Sequence, residues 1–174
     1  NVVVIPNASR FPLPDLAPQI DPRAVGRAHS KRLLAVGRLV PEKGFDLLLD
    51  AFAQSGQAHG NWDLVIVGEG SEREALRRRI EQDGLTGRVF LPGNVGNMGD
   101  WYESADLYVM SSRFEGFGNT LAEALSHGVA AVSTDCLCGP RHILRHEVDG
   151  LLVPSGDVPA LASALARLMS DDSL

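Results

Sequence analysis

Short apolar runs alternate with helical patterns along most of the chain, and this alternation restricts the possible fold more than any other feature. The segments at 32–37, 62–68 and 129–135 each contain four consecutive apolar residues, which is typical of strands buried on both faces. Segments such as 44–55 instead repeat apolar residues at spacings of three and four, as an amphipathic helix does. Strands that alternate with helices predict a parallel sheet covered by helices on both faces. We therefore expect an α/β fold, a single Rossmann-like, doubly wound parallel sheet.

The same reading gives an ordered set of elements. A proline-rich stretch at 6–22 is predicted to be an irregular loop or linker. Strands are predicted at 2–5, 32–37, 62–68, 88–93, 106–112, 129–135 and 150–156. Helices are predicted at 44–55, 71–84, 99–105, 120–128, 140–146 and 157–170, the last with an aspartate N-cap.

Charge and length exclude several classes of function. The 174 residues suit one domain, and the net charge of −6 does not fit a nucleic-acid-binding face. The basic cluster at 77–79 is flanked by glutamates and is interpreted as a solvated helix face. No window approaches 18 apolar residues, and no signal peptide is visible. Because the chain does not begin with methionine, we expect it to be a piece of a longer protein.

The cysteines and histidines give no sign of a metal site. Cys136 and Cys138 are separated by one residue, which makes a poor disulfide and an incomplete metal site. We interpret them as reduced thiols in a reducing compartment. His142 and His146 are four residues apart, which predicts that both lie on one helix face at the surface. We predict no bound metal and no cofactor.

The residues with the clearest chemistry follow predicted strands. In doubly wound sheets ligands bind at the carboxyl ends of the strands, near the point where the strand order reverses. Arg38 leaves the first of these ends, and Lys43 precedes the next helix, where a cation opposes the helix dipole by roughly 0.3–1 kcal/mol unless an anion lies nearby. Together they could hold a diphosphate, or they could be two exposed cations. The Gly68-x-Gly70 turn lacks the third glycine of a dinucleotide fingerprint and indicates only a close backbone neighbour.

The stretch "RFEGFGNTLAEAL" (113–125) places Glu115 and Glu123 on either side of a glycine-rich bend before a helix. Free N–H groups at a helix start bind anions, and carboxylates accept hydrogen bonds from sugar hydroxyls. A ligand with a diphosphate between two sugars fits this pattern, with one glutamate at the ribose and the other at the second sugar. The alternative is structural, because Thr120 and Glu123 have the spacing of a capping box.

Taken in order, these motifs resemble the signature of the retaining GT-B glycosyltransferases grouped as family 4, the glycosyl transferases group 1. The glutamates have the family's Glu-x7-Glu spacing, and the resemblance covers nearly the whole chain. The other matching stretches are "GRLVPEKGFDLLL" (37–49), "VIVGEGSEREAL" (65–76), "VFLPGNV" (89–95), "SADLYVMSSRFEGFG" (104–118) and "DGLLVPSGD" (149–157). The "STDC…GPR" segment is similar to a bacterial cell-surface polysaccharide subgroup, which implies a role in polysaccharide or glycolipid synthesis.

The resemblance implies a site for a nucleotide-sugar donor, expected to be a UDP-sugar, with GDP- and ADP-sugars as alternatives. It implies that Arg38 and Lys43 hold the diphosphate, that Glu115 approaches the donor sugar and that Glu123 bonds the ribose. Arg38, Lys43 and Glu115 form the expected catalytic set. The implied donor-binding residues are Gly37, Asn94 and Val95 near the base, then Gly116, Phe117, Gly118, Asn119, Thr120 and Glu123. Family members transfer an α-linked sugar with retention and usually without metal, and no D-x-D motif is present here.

The resemblance also implies a domain organisation. Residues 1–30 would be an interdomain strand and linker, and 31–174 the donor-binding domain, so an N-terminal half that binds the acceptor sugar or lipid-linked sugar would be missing. We therefore expect this chain alone to bind donor but to transfer poorly or not at all. We expect a cytoplasmic protein, peripheral at the membrane only through the missing half. The alternatives are a nucleotide-sugar binding module without transferase activity and a GT-B-like epimerase or phosphorylase.

Overall fold

The computed structural model describes residues 11–56, 59–137 and 139–171. The strand predicted at 2–5, the first part of the predicted linker and Cys138 lie outside the described residues. Residues 11–21 form no helix or strand, in agreement with the predicted irregular loop.

A parallel sheet of six strands forms the centre of the molecule, as predicted. The order is β3-β2-β1-β4-β5-β6, so the chain winds outwards from β1 in one direction and from β4 in the other. Leu33 and Leu34 of β1 pair with Leu107 and Tyr108 of β4 at the point of reversal. The strands are β1 Lys31–Val36, β2 Trp62–Val67, β3 Val89–Gly93, β4 Leu107–Met110, β5 Ala131–Asp135 and β6 Gly150–Pro154.

Helices cover both faces of the sheet. Each predicted helix is present in the described residues, and two 3₁₀ turns that the pattern did not predict are added at Pro22–Ala24 and Pro41–Lys43. Asp157 caps the last helix, since its side chain accepts the N–H of Ala160 at 2.9 Å. The helices are α1 Phe45–Gly56, α2 Arg73–Gln82, α3 Met98–Glu103, α4 Asn119–Ser126, α5 Pro140–Ile143 and α6 Val158–Met169.

The strands divide the core into two layers. Leu33 belongs to the layer under α1, α2 and α6, whereas its neighbour Leu34 belongs to the layer under α3 and α4. All six residues of β2 are buried, which explains why its sequence shows no polar alternation. Fully burying a side chain such as Leu33 contributes about 1.5–3 kcal/mol, so the two layers stabilise the sheet from both sides.

At the amino ends of β1 and β2, three polar residues surround the buried Asp63, and we call the four the amino-edge cluster (Arg27, Ser30, Arg32, Asp63). Asp63 is 1% exposed and accepts three hydrogen bonds at 2.6 Å, from the N–H and Nε of Arg27 and from the Ser30 hydroxyl. Arg32 donates to the carbonyl oxygens of residues 22 and 25 and to the Ser104 hydroxyl. Burial lowers the pKa of Arg32, and nearby carboxylates partly offset the effect. The cluster joins the segment before β1 to the sheet.

Among the described residues no helix is both long enough and apolar enough to cross a bilayer.

Candidate functional site

The loops that follow β1 and β4 lie side by side, because these two strands are neighbours where the strand order reverses. The Ser111 hydroxyl donates to the carbonyl of Lys43 at 3.0 Å, and the N–H of Arg113 donates to the carbonyl of Glu42 at 2.8 Å. Arg38, Lys43 and Glu115 are therefore brought to one edge of the sheet. We call residues 37–44 and 111–123 the carboxyl-edge site.

Lys43 and Glu115 form an ion pair at the centre of this site. The ammonium Nζ lies 2.6 Å from Glu115 Oε1, and the Ser112 hydroxyl donates to the same oxygen at 2.6 Å. Their side chains are 20% and 9% exposed. Lys43 ends the 3₁₀ turn Pro41–Lys43, two residues before α1 begins, so the anion expected near this helix start is Glu115 itself. Among the described residues, Glu115 Oε2 accepts no hydrogen bond.

Arg38 is exposed, and its guanidinium makes no hydrogen bond or ion pair with the described residues. The backbone of its loop is nevertheless fixed, because the N–H of Leu39 donates to the carbonyl of Glu69 at 2.8 Å. A Cβ added at Gly68 would lie 2.0 Å from the carbonyl oxygen of Gly37, and one at Gly70 would lie 2.3 Å from that of Leu39. The close neighbour of the Gly-x-Gly turn is therefore the loop that carries Arg38.

The start of α4 lies next to the ion pair and has no side-chain cap. Its N-cap is Gly118 at φ 98°, a left-handed conformation that favours glycine, and a glycine has no side chain with which to cap the helix. The capping-box alternative is wrong, because α4 begins at Asn119 and Thr120 is already inside the helix. The Thr120 hydroxyl instead accepts from Tyr108 at 2.8 Å, and Glu123 Oε2 accepts from Tyr102 at 2.9 Å.

Tyr102 and Tyr108 were not among the predicted site residues. Both side chains are 0% exposed, and burial is the main cause that raises the pKa of each phenol, so both remain protonated donors at neutral pH. A sequence signal was present for Tyr108, since a tyrosine in a buried strand needs a hydrogen-bond partner for its hydroxyl. That signal does not say where the partner lies.

The glycine-rich bend presents backbone at the surface, since Gly116 and Asn119 are exposed and Phe117 is half-buried. Asn94 and Val95 follow β3 at the same edge of the sheet, but β2 separates β3 from β1. The structure thus brings most of the predicted residues together and places these two at the far end of the same edge.

Cys136, His142 and His146 lie outside residues 37–44 and 111–123 of the carboxyl-edge site. The prediction that His142 and His146 share a helix face is wrong, because α5 ends at Ile143 and Leu144 is extended and buried. His146 Nδ1 instead accepts the N–H of Leu152 at 3.0 Å. Cys136 is buried, which raises the pKa of its thiol. Within the described ranges, no three His, Cys, Asp or Glu residues are grouped to hold a metal ion.

A cleft of about 650 Å³ lies elsewhere, between the segment before β1 and α3. It is lined by Gln19, Asp21, Pro22, Arg23, Asn97, Asp100, Glu103 and Ser104, none of which is a predicted site residue. The carboxyl-edge site is therefore identified by its chemistry and its place in the fold, and not by the size of a cavity.

A family model and curated relatives that match this chain indicate one family. The model described as "Glycosyl transferases group 1" matches residues 30–171. An exopolysaccharide phosphotransferase of Streptomyces coelicolor is 41% identical over 145 residues, which cover 83% of this chain and 15% of that protein. The lipopolysaccharide core biosynthesis mannosyltransferase LpsB of Rhizobium meliloti is 30% identical over 156 residues, which cover 86% of this chain and 44% of that protein.

The solved structure of Anabaena HepE in complex with UDP and glucose superposes with a TM-score of 0.77 at 26% identity. The match covers 84% of this chain and 40% of that one. The fold matches a domain of GT-B glycosyltransferases, as predicted. The chain spans less than half the length of each of these three proteins.

Proposed function

The chain belongs to the glycosyl transferases group 1 family, and from this premise we propose that it is the donor-binding domain of a retaining glycosyltransferase. The enzyme would move a sugar from a nucleotide-diphosphate sugar to an acceptor in cell-surface polysaccharide or glycolipid synthesis. HepE was crystallised with UDP and glucose, and LpsB is named as a mannosyltransferase, which supports a nucleotide-sugar donor here.

The observation that carries the proposal is the contact of Lys43 with Glu115 at 2.6 Å. The bond that breaks in sugar transfer joins the donor sugar to a phosphate. A cation for the phosphate and a carboxylate for the sugar must therefore lie next to each other. Lys43 and Glu115 do so although they are 72 residues apart in the chain. Oε2 of Glu115 is the oxygen that would face the sugar.

Two further features would hold the diphosphate. The Arg38 guanidinium has no side-chain partner among the described residues and can bind phosphate oxygens as a fork. The bend at residues 116–118 before α4 would offer backbone N–H groups to the diphosphate, where the helix dipole favours an anion. With Lys43, these groups would stabilise the negative charge that develops on the leaving diphosphate.

The two ends of the donor would extend from this centre. Glu123 would accept hydrogen bonds from the ribose hydroxyls, with Thr120 beside it on α4. Asn94 and Val95 would lie near the base, at the same edge of the sheet beyond β2. We propose that the acceptor, a sugar or lipid-linked sugar, is bound by a part of the protein outside residues 31–174. The reaction would then take place in the cytoplasm or at its membrane face.

Calorimetric titration tests this proposal. The chain would be titrated with UDP, GDP and ADP and with their common sugars, with and without Mg²⁺. We expect one nucleotide to bind, UDP first among the candidates, with the same affinity when Mg²⁺ is omitted. Binding should be lost in Lys43→Ala, which removes the central cation. A folded chain that binds none of the three would contradict the proposal.

One comparison favours a second function. The relative with 41% identity is named as a phosphotransferase, and this chain corresponds to only 15% of it. A domain of this kind could bind a nucleotide sugar within a protein that does not form a glycoside. Product analysis of the longer protein separates the two, since a transferase yields a glycoside that disappears in Glu115→Ala.

A further inference from the structure

Two buried tyrosines reach α4 from beneath. Tyr102 comes from α3 and Tyr108 from β4, and their ring centroids are 6.1 Å apart. Each hydroxyl donates to one side chain of α4, Tyr102 to Glu123 Oε2 at 2.9 Å and Tyr108 to Thr120 at 2.8 Å. The two acceptors are three residues apart and so lie on one face of the helix.

The two contacts differ in what they fix. Tyr108 holds a hydroxyl, whereas Tyr102 holds one oxygen of a half-buried carboxylate. A phenol has one proton to donate, and the buried Tyr102 keeps it because burial raises its pKa well above the ordinary value. Within the described residues, the other oxygen of Glu123, Oε1, accepts no hydrogen bond. The carboxylate is thus fixed at one oxygen and available at the other.

We propose that Tyr102 is a positioning residue that orients the Glu123 carboxylate to accept the adjacent hydroxyls of a ribose. The inference rests on the proposed nucleotide-sugar site and deepens it, because it names what makes Glu123 selective for a ribose. A glutamate side chain loses about 1.5–2 kcal/mol of rotamer entropy when it is ordered. The bond from Tyr102 orders Glu123 in the folded protein, before any ligand binds.

His127 supports the same arrangement from the other side of Tyr102. Its ring lies 5.2 Å from the Tyr102 ring, and its Nδ1 lies 2.8 Å from the carbonyl oxygen of Glu123. The Tyr102 ring therefore packs against both His127 and Tyr108, which restricts the position of its hydroxyl. Replacing Tyr102 by phenylalanine keeps this ring packing and removes only the oxygen.

The test compares UDP with 2′-deoxyuridine diphosphate, which lacks one ribose hydroxyl. Calorimetric titrations would use the wild-type chain, Tyr102→Phe, Glu123→Ala and, as a matched control, Tyr108→Phe, which removes an equally buried hydroxyl. We expect the wild type to bind UDP at least about tenfold more tightly than 2′-deoxyuridine diphosphate, because the deoxy ligand loses one hydrogen bond to a charged group. If GDP or ADP is the nucleotide that binds, it and its 2′-deoxy form replace this pair.

Tyr102→Phe should reduce this preference to less than about threefold, close to that of Glu123→Ala, whereas Tyr108→Phe should keep the wild-type ratio. In a Glu123→Ala background, Tyr102→Phe should have no further effect on the ratio. Thermal unfolding would show that each variant is folded. A folded Tyr102→Phe chain with the wild-type ratio would overturn the inference alone. Failure of the folded wild type to bind UDP, GDP or ADP would overturn the proposed function and this inference with it.

Discussion

At the amino edge of the sheet Asp63 is 1% exposed and accepts three hydrogen bonds, whereas at the carboxyl edge Glu115 is 8% exposed and, among the described residues, accepts hydrogen bonds at one oxygen. The arginines differ in the same way. Arg32 donates to two backbone carbonyls and a hydroxyl, while the Arg38 side chain has no partner within the described residues. Each edge thus has a carboxylate and an arginine, but those at the amino edge have more hydrogen-bond partners within the protein.

The difference separates structural polar groups from binding groups. Buried polar groups in folded proteins are almost always hydrogen-bonded, so the amino-edge cluster needs no ligand to explain it. Among the described residues, the carboxyl-edge site has a carboxylate oxygen and a guanidinium without protein partners, and a helix that begins at a glycine N-cap. We therefore expect substitutions at the first edge to change stability and substitutions at the second to change ligand binding.

The largest effect is expected at the amino edge. Asp63→Ala would leave the Arg27 side chain and the Ser30 hydroxyl without their buried acceptor. Losing this acceptor of three hydrogen bonds should lower the free energy of unfolding by about 1–3 kcal/mol, measured by urea denaturation, since the Arg27 side chain is 40% exposed and water can still solvate it. Asp63→Asn, which keeps one acceptor oxygen, should cost less. A loss below about 1 kcal/mol in the alanine variant would show that this cluster does not hold the fold together.

An intermediate effect of a different kind is expected at Arg38. Arg38→Ala should weaken binding of the nucleotide diphosphate about tenfold, because a charge-assisted bond to phosphate is lost. The free energy of unfolding should change by less than about 0.5 kcal/mol, as for other surface substitutions. Arg78→Ala is the matched control, since Arg78 is an exposed arginine of α2 away from the site. Equal affinity for the nucleotide in the two variants would show that Arg38 does not bind the diphosphate.

The smallest effect is expected at an exposed ion pair that joins Arg113 of the carboxyl-edge site to Asp46 of α1. Arg113 binds both oxygens of Asp46, at 2.7 and 2.6 Å, and this hydrogen bonding is the main reason why the pKa of Asp46 is lowered from 3.8. Because the pKa of Asp46 is lower in the folded state, the pair stabilises the protein at pH values above the pKa of Asp46 in the unfolded chain. The contribution is lost as the pH falls through the folded pKa.

Arg113→Ala should therefore reduce stability at neutral pH by about 0.2–1 kcal/mol and should raise the pKa of Asp46. Carboxyl-carbon NMR titration measures the pKa directly, and urea unfolding measures the stability. The ion pair Arg145–Asp149, in the loop between α5 and β6, serves as a comparison pair away from Asp46. An unchanged Asp46 pKa in the variant would mean that Arg113 is not its controlling partner.

The element order was predictable because it depends on local patterns. Every helix and strand predicted within the described residues is present, and the predicted site loops meet because parallel strands share one carboxyl edge. The end of α5 was not predictable in this way. Burial of the extended Leu144 and the bond from Leu152 to His146 override a helical pattern that continued to residue 146.

The details of the site depend on contacts between distant parts of the chain. The spacing of Thr120 and Glu123 satisfies a local capping rule, but two tyrosines from other elements bond these side chains instead. The Lys43–Glu115 pair likewise joins loops that follow β1 and β4. The sequence indicated which residues carry the chemistry, whereas their partners required the arrangement of the sheet.

The central claim is that ligand binds at the carboxyl edge, and NMR chemical-shift mapping tests it most directly. A ¹⁵N-labelled chain would be titrated with UDP, and with GDP and ADP if UDP does not bind. We predict that the chemical shifts of residues 37–44, 94–95 and 111–123 change, while those of Arg27, Arg32 and Asp63 in the amino-edge cluster stay unchanged. Shifts that changed at the amino edge, or no shift changes with any of the three nucleotides, would contradict the account.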